Sequence, residues 1–104
     1  MDIEKFKDAI AITATVVFFS GEKFCKPCRT IKPYFLELEE KYTNVQFIYV
    51  DIETNEELAS KYKVKSVPCF KIFRNSVIID EFTGANKELL LKCVKNLSAT
   101  ADLC

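Results

Sequence analysis

The stretch "EKFCKPCRTIKP", residues 22–33, places two cysteines three positions apart with a proline between them. Zinc sites, haem attachment, iron–sulfur clusters and thiol–disulfide exchange all use this spacing. The residues on either side narrow the choice. "TATVVFF" (13–19) upstream is β-branched and continuously apolar, as a strand buried on both faces should be. Downstream, Ile31, Phe35, Leu38 and Tyr42 recur at helical spacing, so a helix should start at the cysteine pair and run to about Tyr42. Pro33 falls about two turns in, where a bend is expected. The motif therefore sits where a buried strand feeds a helix, the usual location of functional turns in α/β folds.

Composition limits what the pair can be. The chain has 104 residues, 49% of them apolar, 29% charged, with a formal net charge of zero. That is one domain, residues 1–104, with no global basic character to suggest nucleic acid. Histidine is absent, which excludes imidazole-based triads, His-ligated zinc and imidazole proton shuttles. Five cysteines, at 25, 28, 69, 93 and 104, form an odd set unlike a secreted disulfide scaffold. The segment "AIAITATVVFF" (9–19) is too short to span a bilayer. A mixed-charge run, Asp2, Glu4, Lys5, Lys7 and Asp8, precedes it in place of a basic leader. A cytoplasmic protein without membrane association is the expectation.

The remaining elements follow from periodicity. Residues 2–11 place Ile3, Phe6 and Ile10 on one helical face, and "NVQFIYVDI" (44–52) reads as a second central strand. Residues 55–63 form a short helix with Asn55 as its N-cap and Leu58 and Tyr62 inward. "CFKIFR" (69–74) and "VIIDEF" (77–82), joined by "NS", form an antiparallel hairpin. Gly84 breaks the chain before a last helix, 86–98, whose stripe is Leu90, Val94 and Leu97 with Cys93 beside it. Residues 98–104 are expected to be a flexible tail. The order αβαβαββα implies a mixed sheet with helices on both faces.

A cysteine at the first turn of a helix has its thiolate stabilised by unpaired N–H groups and the macrodipole. A second cysteine one turn on is within reach of a mixed disulfide formed by the first. Pro27 suits an early helical position, where its missing N–H costs nothing. Lys23, Lys26, Arg29 and Lys32 add positive charge nearby, which either lowers the Cys25 pKa or forms an ordinary solvated face.

"FCKPCRTIKPYF" resembles the thioredoxin active-site run, "KVKSVPCFKIF" the family's cis-proline loop and strand, and "EFTGANKELL" its last strand and helix entry. The resemblance covers residues 6–98 in order and takes the eukaryotic form of the family. It implies an α/β thioredoxin fold with a mixed sheet of four to five strands. It also implies a protein-disulfide reductase cycling Cys25 and Cys28 between dithiol and disulfide, with no bound cofactor or metal. Cys25 would be the exposed nucleophile and Cys28 the more buried resolving thiol. Pro68 would be the cis-proline, Val67 would offer backbone hydrogen bonds to an extended substrate, and Gly84 would permit close approach. The implied partners are protein disulfides and a reductase-type electron donor, and the implied state is a monomer.

The sequence departs from that pattern at several positions. Phe24 replaces the tryptophan before the first cysteine, and Lys26 replaces the glycine between the two. The buried aspartate beneath the resolving thiol becomes Phe18 if loop 20–23 holds one extra residue, or Phe19 without a gap. Loss of that acid should slow resolution of mixed disulfides. Cys69 replaces the threonine after the cis-proline. It reads first as a small buried hydrophobe at the start of a strand; in this architecture it would also sit near Cys25 and Cys28, where it could serve as a redox partner or a third thiolate for a metal. Only "MDI" remains for the family's opening edge strand. A second function class is therefore open: a redox-sensitive binding module on the same fold, with weak general reductase activity.

Overall fold

The structure, a computed structural model, describes residues 2–101. The elements are α1 (Ile3–Ile12), β1 (Thr15–Ser20), α2 (Lys26–Lys41), β2 (Gln46–Asp51), α3 (Glu56–Lys61), β3 (Cys69–Arg74), β4 (Val77–Thr83) and α4 (Lys87–Thr100). Each of the four helices and four strands falls where the periodicity places it.

The sheet order is β2-β1-β3-β4, with β1 and β2 parallel and the other pairs antiparallel. β1 is buried along its whole length, which is why its sequence shows no alternation. Its side chains still point alternately to two faces. Val16 and Phe18, with Phe70 and Ile72 of β3, join α2 and α4 in one core through Cys28, Ile31, Phe35, Leu90, Val94 and Leu97. Val17, Phe19 and Phe73 face the other way and pack with Phe6 and Ile10 of α1 and Leu58 of α3. Two helices therefore cover each face. Among the described residues the sheet has four strands and no fifth.

Local chemistry fixes the boundaries. Asp2 caps α1, its side chain accepting from the Lys5 amide at 2.8 Å. Asn86 does the same for α4 through Leu89 N at 3.0 Å. Asn55 stands at the N-cap of α3, but its side chain does not cap the helix; its amide donates to the Asp51 carbonyl at 2.9 Å and so ties α3 to the end of β2. The β3–β4 turn has positive φ at Asn75 (50°) and Ser76 (71°), the conformation that matches the twist of a two-residue hairpin. α2 continues through Pro33.

The expected tail at 98–104 needs correction in part. Ser98, Ala99 and Thr100 belong to α4, and Ser98 Oγ donates to Asn44 Oδ1 at 2.8 Å while Asn44 Nδ2 donates to the Ser98 carbonyl. That reciprocal pair pins the last turn against the loop before β2. Residues 102–104, with Cys104, lie outside the described residues.

Candidate functional site

β1 ends at Ser20, and five residues later Cys25 is the N-cap of α2. Between them the Phe24 and Cys25 amides both donate to the Gly21 carbonyl, at 3.2 and 2.8 Å. This tight turn delivers Cys25 to the start of the helix. Its sulfur accepts from the Cys28 amide at 3.1 Å, taking the place a Ser or Asp oxygen fills in most caps. Pro27 lies in the first turn, where no intrahelical partner for an N–H exists. The two cysteines form a disulfide with their Cα atoms 5.2 Å apart.

Exposure differs between them, though less than expected. Cys28 is 0% exposed and Cys25 only 6%, so Cys25 is not the open side chain the resemblance implies. The reason is its capping role: the sulfur turns back over the helix start and bonds to Cys28. The exposed group beside it is Phe24, at 61%. The Phe24 ring lies across Gly21 so closely that a Cβ there would collide with it. Gly21 is a position the sequence reading missed. Its signal was that it is one of only two glycines and sits four residues before the first cysteine.

The Val67–Pro68 peptide bond is cis, as the resemblance implies. Val67 is partly buried and packs against the same core as Cys25 and Cys28, and the Pro68 carbonyl accepts from Gly84 N at 2.9 Å. Gly84 thus joins the last loop to the proline loop. Its φ is +97°, and a Cβ there would meet nothing within 4 Å. Within the chain, backbone conformation requires the glycine; close approach does not.

Phe18 and Phe19 are resolved by face. Phe18, 0% exposed, belongs to the core that holds Cys25 and Cys28, while Phe19 lies on the opposite side. Phe18 stacks on Phe70 at 4.6 Å and meets Phe35 and Tyr49 edge-on, both at 5.2 Å between centroids. The region beneath the helix start is aromatic.

Cys69 is the small buried hydrophobe at the start of β3, and its expected nearness to the cysteine pair is overturned. Cys69 is buried, but it belongs with Val17, Phe19 and Phe73 on the α1/α3 side, and the sheet separates it from the Cys25–Cys28 pair. Side-chain alternation along β3 puts Phe70 under the active helix instead. Among the described residues no group of three or more His, Cys, Asp or Glu side chains is arranged to hold a metal. Burial raises the Cys69 pKa, with Lys71 opposing and Glu81 reinforcing. Lys71, 5% exposed, is a second residue the sequence concealed; its ammonium pairs with Glu81 at 2.8 Å.

The basic residues near the pair also divide. Lys32 contacts both Glu22 carboxylate oxygens at 3.1 Å and lies 4.4 Å over the Tyr49 ring. Tyr49 donates its hydroxyl to the Glu22 carboxylate, and its oxygen is also hydrogen-bonded to the Ser20 hydroxyl at 2.9 Å. Lys32 is therefore neutralised by Glu22. Arg29 folds back onto the loop, donating to the Glu22 and Lys23 carbonyls at 3.3 Å each. Lys23 and Lys26 are exposed.

No helix among the described residues is long and apolar enough to cross a membrane. Comparison with known proteins agrees with this arrangement. The thioredoxin family model matches residues 1–96. Thioredoxin from Equus caballus is 45% identical over 82 residues, 79% of this chain and 77% of that protein. The Homo sapiens thioredoxin is 42% identical over 90 residues, 86% of this chain and 85% of that one. The X-ray structure of Fasciola hepatica thioredoxin superposes with a TM-score of 0.83 at 33% identity, covering 91% of this chain and 90% of its own.

Proposed function

Since the chain belongs to the thioredoxin family and is a thiol–disulfide oxidoreductase with Cys25 and Cys28 as its redox pair, we propose that Cys25 attacks and Cys28 resolves. The observation that carries the assignment is the cap. Cys25 Sγ sits at the helix N-terminus and accepts from the Cys28 amide, so a thiolate there gains a hydrogen bond and the favourable end of the dipole. Cys28, fully enclosed, is shielded from direct encounter with a protein substrate.

In the reductive direction the Cys25 thiolate attacks one sulfur of a substrate disulfide, and the other leaves as a thiolate. The Cys28 thiolate then attacks the Cys25 sulfur and expels the second substrate thiolate. The substrate gains two electrons and the protein is left as the observed disulfide. A reductase-type dithiol donor returns two electrons to close the cycle. The substrate strand lies along Val67, whose backbone groups hydrogen-bond to it, with Pro68 opposite the sulfurs and Gly84 and Phe24 at the rims. Lys26 and Pro27 complete the surface it touches.

The protein is a eukaryotic-type member with an atypical CKPC centre, it acts as a monomer, and it works in a reducing cytoplasm. Support for the last comes from Cys69 and Cys93, both buried free thiols. A second reading, a redox-sensitive binding module, is favoured by Phe18, because an aromatic core under Cys28 offers no proton acceptor. Insulin reduction driven by dithiothreitol separates the two. Turnover well above background that is lost in Cys25→Ser supports the reductase; background rates in both proteins overturn it.

A further inference from the structure

Only two ion pairs form among the described residues, Lys32–Glu22 and Lys71–Glu81. Lys23, Lys26 and Arg29 flank the disulfide within four residues of a cysteine, all are exposed, and among the described residues none has a carboxylate within 4 Å. Lys65, also exposed and in no ion pair among the described residues, stands three residues before Pro68 on the loop that carries it. The single acid of the motif loop, Glu22, is held by Lys32 and Tyr49. Residues 22–33 carry four basic groups and one acidic one, in a chain whose net charge is zero.

The fixed positions of these charges matter as much as their number. Arg29 is tied to the carbonyls of Glu22 and Lys23, so its charge stays beside the loop. Lys26 is the first residue of α2, between the two sulfurs in sequence. A cation at a helix N-terminus is on the unfavourable end of the macrodipole. Pairing with an incoming anion would relieve that. Glu53, in the turn after β2, and Glu88, in the first turn of α4, form no ion pair with this set.

We propose that Lys23, Lys26, Arg29 and Lys65 form a cationic rim that selects peptide disulfides flanked by Asp or Glu. The inference rests on the reductase reading above and names its substrate class. Complementary charge acts mainly on encounter, so the preference should appear in the second-order rate and be screened by salt.

The test uses the fully reduced protein in single turnover, so no electron donor is needed. Three peptides share one intrachain disulfide flanked by Glu, Gln or Lys. Each rate is divided by the rate of the same peptide with dithiothreitol, which removes intrinsic differences in disulfide reactivity. The Glu peptide should react about tenfold faster than the Lys peptide at low salt, with the ratio falling to about threefold or less at 0.5 M salt. Lys65→Glu and Lys26→Gly should each lower the ratio, while Lys7→Glu, on the opposite face of the sheet, should not. Equal rates for the three peptides, or a ratio indifferent to salt, overturn the rim while leaving the reductase intact. If no peptide reacts faster than with dithiothreitol alone, the reductase reading itself falls.

Discussion

Replacing Phe18 by Asp puts a carboxyl on the face of β1 that holds Cys28, and two opposing effects can be sized. Phe18 is 0% exposed and contacts Phe35, Tyr49 and Phe70. Truncating a buried phenylalanine costs about 3–5 kcal/mol. Burying a carboxyl without a full set of partners adds about 1–3 kcal/mol. The loss is then a large part of the roughly 5–15 kcal/mol that holds a domain of this size together. Against this, the variant gains a proton acceptor near a thiol that must ionise to resolve a mixed disulfide. Burial should raise the pKa of the new carboxyl, which suits it to take a proton near neutral pH. Phe18→Asn is the matched control: similar volume and polarity, no proton acceptance. Urea unfolding of the oxidised proteins should show both variants weakened by several kcal/mol. Reaction with an aromatic disulfide reagent, in a Cys104→Ser background at low temperature, then separates attack from resolution. The first released thiolate reports Cys25 and the second reports Cys28. The Asp variant should resolve at least about tenfold faster than the Asn variant, a modest share of what a positioned base supplies. Equal resolution rates would refute the placement of Phe18 beneath Cys28 as the site of a missing base. A stability loss under about 1 kcal/mol would refute its role in the aromatic core.

Further outcomes are expected at Cys93 and Gly21. Cys93, buried and donating to Asp80 at 3.5 Å, has its pKa pushed up to about 11 by burial first and then by the Asp80 charge and hydrogen bond. From an ordinary value of 9.0, its thiolate fraction at pH 8 falls about a hundredfold, so alkylation should be correspondingly slow and faster in Asp80→Asn. Between pH 9 and about 11 the folded state keeps this proton while the unfolded state releases it, so the contribution to stability is intact below pH 9 and is lost as pH rises through that window. Gly21→Ala should displace the Phe24 ring with little change in stability, because the ring is exposed and free to move away. Reduction of protein disulfides should slow while the reaction with a small aromatic disulfide is unaffected.

Much of this site was legible because its signals are local. The strand-to-helix switch around Cys25, the helical spacing of Ile31, Phe35 and Leu38, and Gly84 ahead of the last helix are all visible along the chain. What escaped depends on which face of the sheet a residue meets. Cys69 follows Pro68 directly, and adjacency in sequence suggests adjacency to the sulfurs; alternation along β3 sends it to the far side. The same alternation settles Phe18 over Phe19. Lys32 reads as one of four equivalent cations until folding brings Glu22, ten residues earlier, against it. The Glu22–Tyr49 contact joins positions 27 residues apart, and the Ser98–Asn44 pair joins positions 54 apart. No local pattern announces either.

The division of labour between the two sulfurs is tested most directly by trapping. Reduced Cys28→Ser protein, mixed with a peptide disulfide and quenched in acid, should accumulate a mixed disulfide that peptide mapping by mass spectrometry places on Cys25. Cys25→Ser protein under the same conditions should accumulate none on Cys28. Trapping at Cys28 in the second variant, at a rate comparable to Cys25 in the first, would contradict the assignment of Cys25 as the attacking thiol.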